Sequence, residues 1–429
     1  MKKTISLILA MLMIFSGVSV FAQDYHQDAI VLDEEVSETY LNDKVASLVR
    51  QSDGKISDDD EVHVLLRLKP EYFSNLGYMV DAKSLYTDEG IKRQMDFAQK
   101  AIARAVSELR ESDMDFDVMD EYTVLLLGFD TRVSFKDAKK MASFDFVESV
   151  TLQKTINKPV YDDGERYDIY SNMQSRDIIG NEAVYSKYKG EGTIVAVIDS
   201  GFDVEHEAFY LTETGKAKAF YDEAAIEKLK KDKVLDHGFY INEKIPFAYN
   251  YYPSANPERL KQRSLNSHGQ QVAGTIAANK TTVKLDGEER ELIGVAPEAQ
   301  LALMRVFSDE NPGTDPVIYV KALEDCAKLR VTAVNMSIGA AAGDSTQIDK
   351  DTTDALNRLE EAGCVVAIAA GNETAFGNGQ GLKPYKDNPD YGILGTPAAA
   401  EKSFAVASIE NGFTVQDYFV NEDRFNRTH

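Results

Sequence analysis

Hydrophobic positions between residues 62 and 156 follow a pattern of short strands alternating with helices. The predicted order is strand, helix, strand, helix, strand, at 62–69, 91–110, 122–129, 134–144 and 147–156. In the first helix one face is apolar over its whole length, which is typical of a helix packed on a sheet. Ser134 is a suitable N-cap for the second helix. This order predicts a small α+β unit with its own core.

From about residue 191 the strands become apolar throughout, and longer helical patterns separate them. Strands are predicted at 193–199, 301–307, 331–337, 364–372 and 403–408, and helices at 268–279, 316–330 and 352–363. Continuous apolar strands with helical crossovers are typical of a parallel α/β sheet that is buried on both faces. The second part of the chain is therefore predicted to be an α/β domain.

Polar and small residues follow the ends of three of these predicted strands. Asp199 ends the first, Ser337, Ile338 and Gly339 follow the third, and Asn372 ends the fourth. The carboxyl ends of parallel strands meet at one edge of the sheet, where α/β proteins bind ligands. The pattern therefore predicts an acid, a backbone edge and a carboxamide at one site.

The first 22 residues have a basic start, an apolar run and small residues before Gln23, as in an export signal. The run is shorter than the roughly 20 residues that span a membrane, and Ser16 and Gly17 interrupt it. These features favour cleavage after Ala22 over a retained membrane anchor. We therefore expect a secreted or cell-envelope protein.

Charge narrows the classes of partner. The 429 residues include 47 basic and 71 acidic side chains, for a net charge of −24, which would repel nucleic acid. The two cysteines, Cys326 and Cys364, lie in apolar segments, so we expect buried free thiols and no disulfide framework.

Three kinds of chemistry are possible at the carboxyl edge. The turn after Asp199 has one glycine, Gly201, and so lacks the glycine pattern of a dinucleotide site. A metal-dependent hydrolase would use the loop with Asp203, Glu205, His206 and Glu207, although such charge in a loop more often faces solvent. The third possibility is a general base at the carboxyl edge of the sheet.

His268 is the candidate base. It stands at the start of a predicted helix, behind Asn266 or Ser267 as cap, where the helix dipole favours a neutral imidazole. Alone, such a histidine is more often structural. Oriented by Asp199, and with Asn372 to donate a hydrogen bond to an oxyanion, it could accept a proton from a nucleophile.

Successive segments of the second part resemble the signature blocks of subtilisin-like serine proteases. They read VAVIDSGFDVEH, HGQQVAGTIAA, GVAPEAQLALMRVF, AVNMSIG and AIAAGNE, over about residues 185–410. The segments GFDVEHEAF and DYGILGTPAAAEKSFAVAS further resemble the cell-envelope proteinase branch, the lactocepin-like enzymes.

This resemblance implies roles for individual residues. Asp199 would be the triad acid, His268 the triad base and Asn372 the oxyanion donor. Ser337, Ile338 and Gly339 would form the strand edge that pairs with the substrate backbone. The α+β unit would be a ferredoxin-like propeptide that inhibits the enzyme and assists its folding. No cofactor is required, and the resemblance allows structural calcium ions without assigning their ligands.

The chain departs from the family pattern at two points. Gln270 and Gln271 stand where the family has Thr and a second His, which implies altered contacts rather than lost chemistry. The family's G-T-S-x-A-x-P block, which carries the nucleophile, does not occur in these 429 residues. We therefore expect a fragment that is inactive by itself, or else a non-catalytic subtilase-like protein that binds peptides.

The expected architecture is an incomplete subtilisin-like parallel α/β domain preceded by a small ferredoxin-like α+β propeptide. Its expected segments are a signal peptide at 1–22, an acidic linker at 23–61, a propeptide domain at 62–156, an exposed connection at 157–184 and a truncated catalytic domain at 185–429. The expected reaction is hydrolysis of protein or peptide substrates.

Overall fold

The computed structural model describes residues 43–52, 54–153, 156–157, 179–252, 260, 268–285, 288–307, 313–339, 350–371 and 394–407. The predicted signal peptide, most of the connection, and Asn372 lie outside these residues. Two main sheets organise the described chain, a four-stranded antiparallel sheet and a six-stranded parallel sheet. None of the described helices is long and apolar enough to cross a membrane.

Residues 43–157, here called the N-terminal unit, contain the antiparallel sheet and the helices packed on it. Its strands are β1 (Glu61–Leu68), β2 (Val118–Tyr122), β3 (Gly128–Ser134) and β4 (Val147–Leu152), in the order β2-β3-β1-β4. Helices α2 (Asp88–Arg110) and α3 (Phe135–Ala142) connect them, and α1 (Asp43–Gln51) precedes them. This β-α-β-β-α-β order is that of ferredoxin-like folds.

One predicted strand of this unit is wrong. The apolar run at 122–129 is divided into the end of β2, a loop at 123–127 and the start of β3. The loop residues Val124, Leu125 and Leu126 are nonetheless buried, because they pack in a core shared with the second unit. Apolar content alone could not distinguish this buried loop from a strand.

Two other details of the N-terminal unit bear on the sequence predictions. Ser134 accepts a hydrogen bond from the Asp137 N–H, so the predicted cap of α3 is confirmed. Helix α1 lies within the predicted acidic linker, and its Leu48 is fully buried in the core of the unit.

Residues 179–407 form the second unit, here called the parallel-sheet unit. Its six strands are β6 (Ile194–Asp199), β7 (Phe247–Asn250), β10 (Gln300–Arg305), β12 (Ala333–Met336), β13 (Val365–Ala369) and β14 (Phe404–Val406). They are all parallel, in the order β14-β13-β12-β6-β10-β7. Edge strand β7 was not predicted from the sequence.

Helices cover the two faces of the parallel sheet unequally. Helices α8 (Pro316–Lys328) and α9 (Lys350–Glu361) pack on one face, and α7 (His268–Ala277) packs on β6 and β10 on the other. On the α7 side, the part of the sheet formed by β13 and β14 has no described helix over it. Val365, Phe404 and Val406 are accordingly 49%, 62% and 55% exposed there.

Smaller elements complete the fold. Helices α4 (Asn181–Tyr185), α5 (Glu213–Ala217) and α6 (Glu223–Lys231) lie between β5 and β7 in the chain. Strands β8 (Thr281–Leu285) and β9 (Glu288–Leu292) form a hairpin, and β5 (Ile156–Asn157) pairs with β11 (Gly313–Thr314). Both cysteines are buried free thiols, as predicted.

A charged cluster joins β7 to helix α8. The His237 ring lies between two carboxylates, 2.5 Å from Asp236 and 2.6 Å from Asp325, and it stacks on Tyr249. Tyr251 donates a hydrogen bond to Asp325 at 2.6 Å, and Lys328 pairs with the same carboxylate at 3.0 Å. Burial alone would lower the pKa of His237, but the two carboxylates raise it to about 9.

From this cluster we predict that the free energy of unfolding falls at alkaline pH. Because the pKa of His237 is raised in the folded state, its stabilising contribution is complete below about pH 6.5 and disappears as the pH rises through about 9. We expect the free energy of unfolding to fall by about 3 kcal/mol over that interval. Denaturant unfolding at a series of pH values measures this, and His237→Gln should flatten the dependence.

Candidate active site

Asp199 and His268 meet at the carboxyl edge of the parallel sheet. Asp199 is the last residue of β6 and is fully buried, and His268 is the first residue of α7. The His268 Nδ1 lies 2.7 Å from the Asp199 Oδ1, which also accepts the Ser200 N–H at 2.6 Å. With the proton on Nδ1, shared with the Asp199 carboxylate, the lone pair of the neutral ring is on Nε2.

Three further features fix the start of α7 against the loop that follows β6. The Gly269 N–H donates to the Ser200 hydroxyl at 3.2 Å, and the Asp203 N–H donates to the Gln270 side chain at 2.9 Å. A Cβ at Gly269 would lie 2.7 Å from the Gly201 carbonyl oxygen, so this close approach requires glycine. Gln270, which departs from the family pattern, thus holds the loop after β6 to the start of α7.

Of the remaining predicted site residues, Ser337, Ile338 and Gly339 lie at the same edge. Strand β12 pairs in parallel with β6, which ends at Asp199. Ser337, Ile338 and Gly339 directly follow β12, so they lie at the neighbouring strand end. The Asn335 amide donates to the Ser337 hydroxyl at 3.0 Å, and Ile338 is buried. Asn372 lies outside the described residues, three positions after the end of β13.

A second strand edge beside the site is occupied by the chain itself. Strand β5 pairs antiparallel with β11, with Ile156 opposite Thr314 and Asn157 opposite Gly313. Strand β11 immediately precedes helix α8, and β5 lies at the end of the N-terminal unit. On this edge the parallel-sheet unit therefore pairs with residues 156–157 of its own chain.

The loop proposed for a metal-dependent hydrolase has a different arrangement. The His206 Nδ1 accepts the Ala208 N–H at 3.2 Å, and Glu207 accepts a hydrogen bond from Thr281. Among the described residues no group of three or more His, Cys, Asp or Glu side chains is placed to hold a metal ion.

Sequence reasoning missed one residue that organises this region. Glu324, on helix α8, is fully buried and accepts four backbone N–H groups of the N-terminal unit. It lies four residues after Val320 and seven after Val317, on the apolar stripe of the helix. An acid on such a stripe was the available signal, because a buried carboxylate requires partners.

The chain is similar in sequence to known proteins over much of its length. The subtilase family model matches residues 190–424. The PII-type proteinase of Lactococcus lactis subsp. cremoris is 33% identical over 324 residues, which cover 73% of this chain and 16% of the relative. The C5a peptidase of Streptococcus pyogenes is 36% identical over 220 residues, which cover 51% of this chain and 18% of the relative.

A solved structure was also found. The epidermin leader peptide processing serine protease of Staphylococcus aureus has a TM-score of 0.44 and 15% sequence identity, over 73% of this chain and 61% of that chain. The chain spans less than a fifth of the length of the PII-type proteinase and of the C5a peptidase.

Proposed function

Because this chain belongs to the subtilase family, we propose that it contributes the acid and the base of an exported serine endopeptidase and carries that enzyme's inhibitory propeptide. The observation that carries the proposal is the 2.7 Å contact of Asp199 with His268 at the carboxyl edge of the parallel sheet. The resemblance of GFDVEHEAF and DYGILGTPAAAEKSFAVAS to the cell-envelope proteinase branch and the export signal expected at 1–22 support a surface location.

In this reaction His268 acts through Nε2 as the general base. It takes the proton of a serine hydroxyl as that oxygen attacks the peptide carbonyl, and it returns the proton to the leaving amine. Asp199 holds the ring in the required tautomer and stabilises the imidazolium form. Asn372 is proposed to donate a hydrogen bond to the oxyanion, as in the family it resembles.

The N-terminal unit is proposed to be the inhibitory propeptide. Its end, β5, pairs with β11, where a substrate strand would otherwise bind. The Gln153 side chain accepts the Val317 N–H at 3.2 Å, and the Tyr122 hydroxyl donates to the Val317 carbonyl at 3.1 Å. These contacts hold the end of the unit at the start of α8 and so keep the strand edge covered.

The central contact between the two units is made by Glu324. Its carboxylate accepts the N–H groups of residues 123, 124, 125 and 126 at 3.2, 2.7, 2.8 and 2.9 Å. Burial raises the pKa of Glu324, while Lys328 and the N–H donors act to lower it. The loop at 123–127, which the sequence suggested as a strand, thus binds the buried carboxylate of Glu324.

Ion pairs also connect the two units, and each unit contributes the basic partner to some of them and the acidic partner to others. Arg67 of the N-terminal unit pairs with Asp351 and Asp354 of α9, and Lys321 of α8 pairs with Asp120 at 2.8 Å. At the periphery, Lys92 pairs with Asp232 and Arg330 with Asp88, where at least one side chain of each pair is largely exposed. This arrangement permits one orientation of the N-terminal unit on the parallel-sheet unit.

The serine nucleophile is proposed to come from a segment that these 429 residues do not contain. No G-T-S block occurs in the sequence. The exposed side chains of Val365, Phe404 and Val406 offer an apolar surface for a further helix, and parallel sheets are ordinarily covered on both faces. Such a helix would lie on the side of the sheet that holds α7 and His268.

This proposal predicts that the 429-residue chain does not hydrolyse peptides at an enzyme-like rate. The acid and base can orient and accept a proton, but no serine in the motif of the family is present to attack. Loss of one triad member leaves at most about 10³- to 10⁴-fold over water. Assays of the purified chain with fluorogenic peptides should therefore match a buffer control.

The matched control is the same gene expressed together with its downstream coding sequence. On the proposed function this longer protein cleaves the peptides and is blocked by serine-directed inhibitors. Robust, inhibitor-sensitive cleavage by the 429-residue chain would overturn the assignment of the nucleophile. A downstream sequence without a G-T-S block would instead favour a peptide-binding protein with a subtilase fold.

A further inference from the structure

Two hydrogen bonds join the loop after β6 to the first turn of α7, behind the contact of the acid with the base. The Gly269 N–H donates to the Ser200 hydroxyl at 3.2 Å. One residue further along the helix, the Gln270 Oε1 accepts the Asp203 N–H at 2.9 Å. The loop that follows the acid and the turn that begins with the base are therefore joined at two successive places.

The hydrogen bond of Gln270 closes a short ring of chain. Asp203 lies four residues after Asp199, and Gln270 lies two residues after His268. The 2.7 Å contact of the acid with the base forms one end of the ring, and the 2.9 Å bond of Gln270 forms the other. The backbone dihedrals of the enclosed residues can no longer vary independently. The ring therefore limits how far the carboxylate can move from the imidazole.

The loop becomes exposed directly beyond this hydrogen bond. Glu205, His206 and Glu207 are exposed, whereas Asp203 and Gln270 are both half-buried. Exposed loops open at a low free energy, and water competes less for a hydrogen bond that is partly shielded. The bond at Asp203 thus separates the exposed part of the loop from the acid.

We propose that Gln270 is a positioning residue that keeps the Asp199 carboxylate within hydrogen-bond distance of the His268 Nδ1. The family that the chain resembles has threonine at this position, and a threonine oxygen lies two bonds closer to the backbone than the glutamine oxygen does. Catalytic groups must be held within a fraction of an ångström of their productive geometry. The kinetic consequence of this inference rests on the proposed function, whereas the contact itself is measurable in the 429-residue chain.

The contact is tested in the 429-residue chain by proton NMR of the His268 ring. A ring proton shared with a carboxylate gives a signal far downfield of the backbone amides, and its exchange with water reports how often the contact opens. His63 and His237 also lie beside carboxylates, so the signal is assigned by its absence from His268→Gln. We expect exchange to be about tenfold faster in Gln270→Met, which keeps the side-chain length but loses the hydrogen bond.

Three further variants make this comparison specific. Gln270→Glu keeps an acceptor oxygen at the same distance from the backbone and should restore slow exchange. Gln270→Thr is too short to reach the Asp203 N–H and should match Gln270→Met, so the test remains available if the methionine variant does not fold. Thr275→Val is the matched control, because it removes a side-chain hydroxyl from an exposed position of the same helix and should leave exchange unchanged.

Kinetics of the longer protein that supplies the nucleophile give a second measurement. Gln270→Met should lower kcat about tenfold and leave KM nearly unchanged, because the side chain acts through the acid and the base and does not lie on the strand edge. If the longer protein does not cleave peptides, the proposed function fails and the NMR comparison alone decides the inference.

Three NMR results would overturn the inference whether or not the protein is a protease. They are unchanged exchange in both Gln270→Met and Gln270→Thr, exchange in Gln270→Glu as fast as in Gln270→Met, and no His268 signal from the unchanged chain. In the last case the contact between the acid and the base would not be held closed at all.

Discussion

Replacing Asp199 by Asn in the active protease, expressed with the segment that supplies its nucleophile, should lower kcat by about 10⁴-fold. The Asp199 Oδ1 accepts a hydrogen bond from the His268 Nδ1 at 2.7 Å, which leaves Nε2 able to accept a proton. An asparagine amide can donate to Nδ1 and so favours the tautomer with the proton on Nε2. That form of His268 cannot act as the base.

Steady-state kinetics with a fluorogenic peptide, over a range of substrate concentrations, separates kcat from KM. Glu207→Gln is the control, because it removes a charge from the same loop at an exposed position. We expect KM to change little in either variant, since neither side chain forms the strand edge. If Asp199→Asn retained normal kcat, the triad assignment would lose its physical basis.

Replacing Glu324 by Gln should release the N-terminal unit once the connection between the units is cut. The Glu324 carboxylate accepts four backbone N–H groups, and a glutamine amide would turn its own N–H₂ towards some of these donors. Buried donors without acceptors are costly, and we expect a loss of about 3 kcal/mol, or roughly 100-fold in the dissociation constant.

A protease site inserted in the connection allows this measurement. After cleavage, native mass spectrometry at several dilutions reports the fraction of N-terminal unit still bound to the parallel-sheet unit. Glu361→Gln, an exposed acid on helix α9, is the control and should leave that fraction unchanged. Equal retention in Glu324→Gln and in the unchanged chain would show that other contacts hold the unit.

The sequence was sufficient to predict five of the six strands of the parallel sheet, because their signals are local. Strands β6, β10, β12, β13 and β14 are continuous apolar runs, and the order of motifs identified the family, which the family match confirms. The neighbouring positions of Asp199 and Ser337 follow from the rule that parallel strands end at a common edge. The roles of these residues and of Asn372 remain predictions.

The contacts between the two units were not predictable, because they depend on tertiary context. The loop at 123–127 is as apolar as a strand, and its backbone N–H groups are bound by Glu324, some 200 residues later in the chain. The pairing of β5 with β11 has two residues on each side and no hydrophobic pattern. Short backbone pairings of this kind leave little trace in the composition of either segment.

The different exposure of the contacts between the units has a consequence for ionic strength. The pair of Lys92 with Asp232 lies at the surface, with side chains 48% and 27% exposed, and Glu324 is fully buried. Salt screens exposed charges over about 8 Å at physiological concentrations but reaches buried ones poorly. In concentrated salt the N-terminal unit should therefore lose its outer ion pairs and stay attached at its centre, tilting rather than leaving. On the proposed function, binding of this kind would keep the protease inhibited as the salt concentration changes.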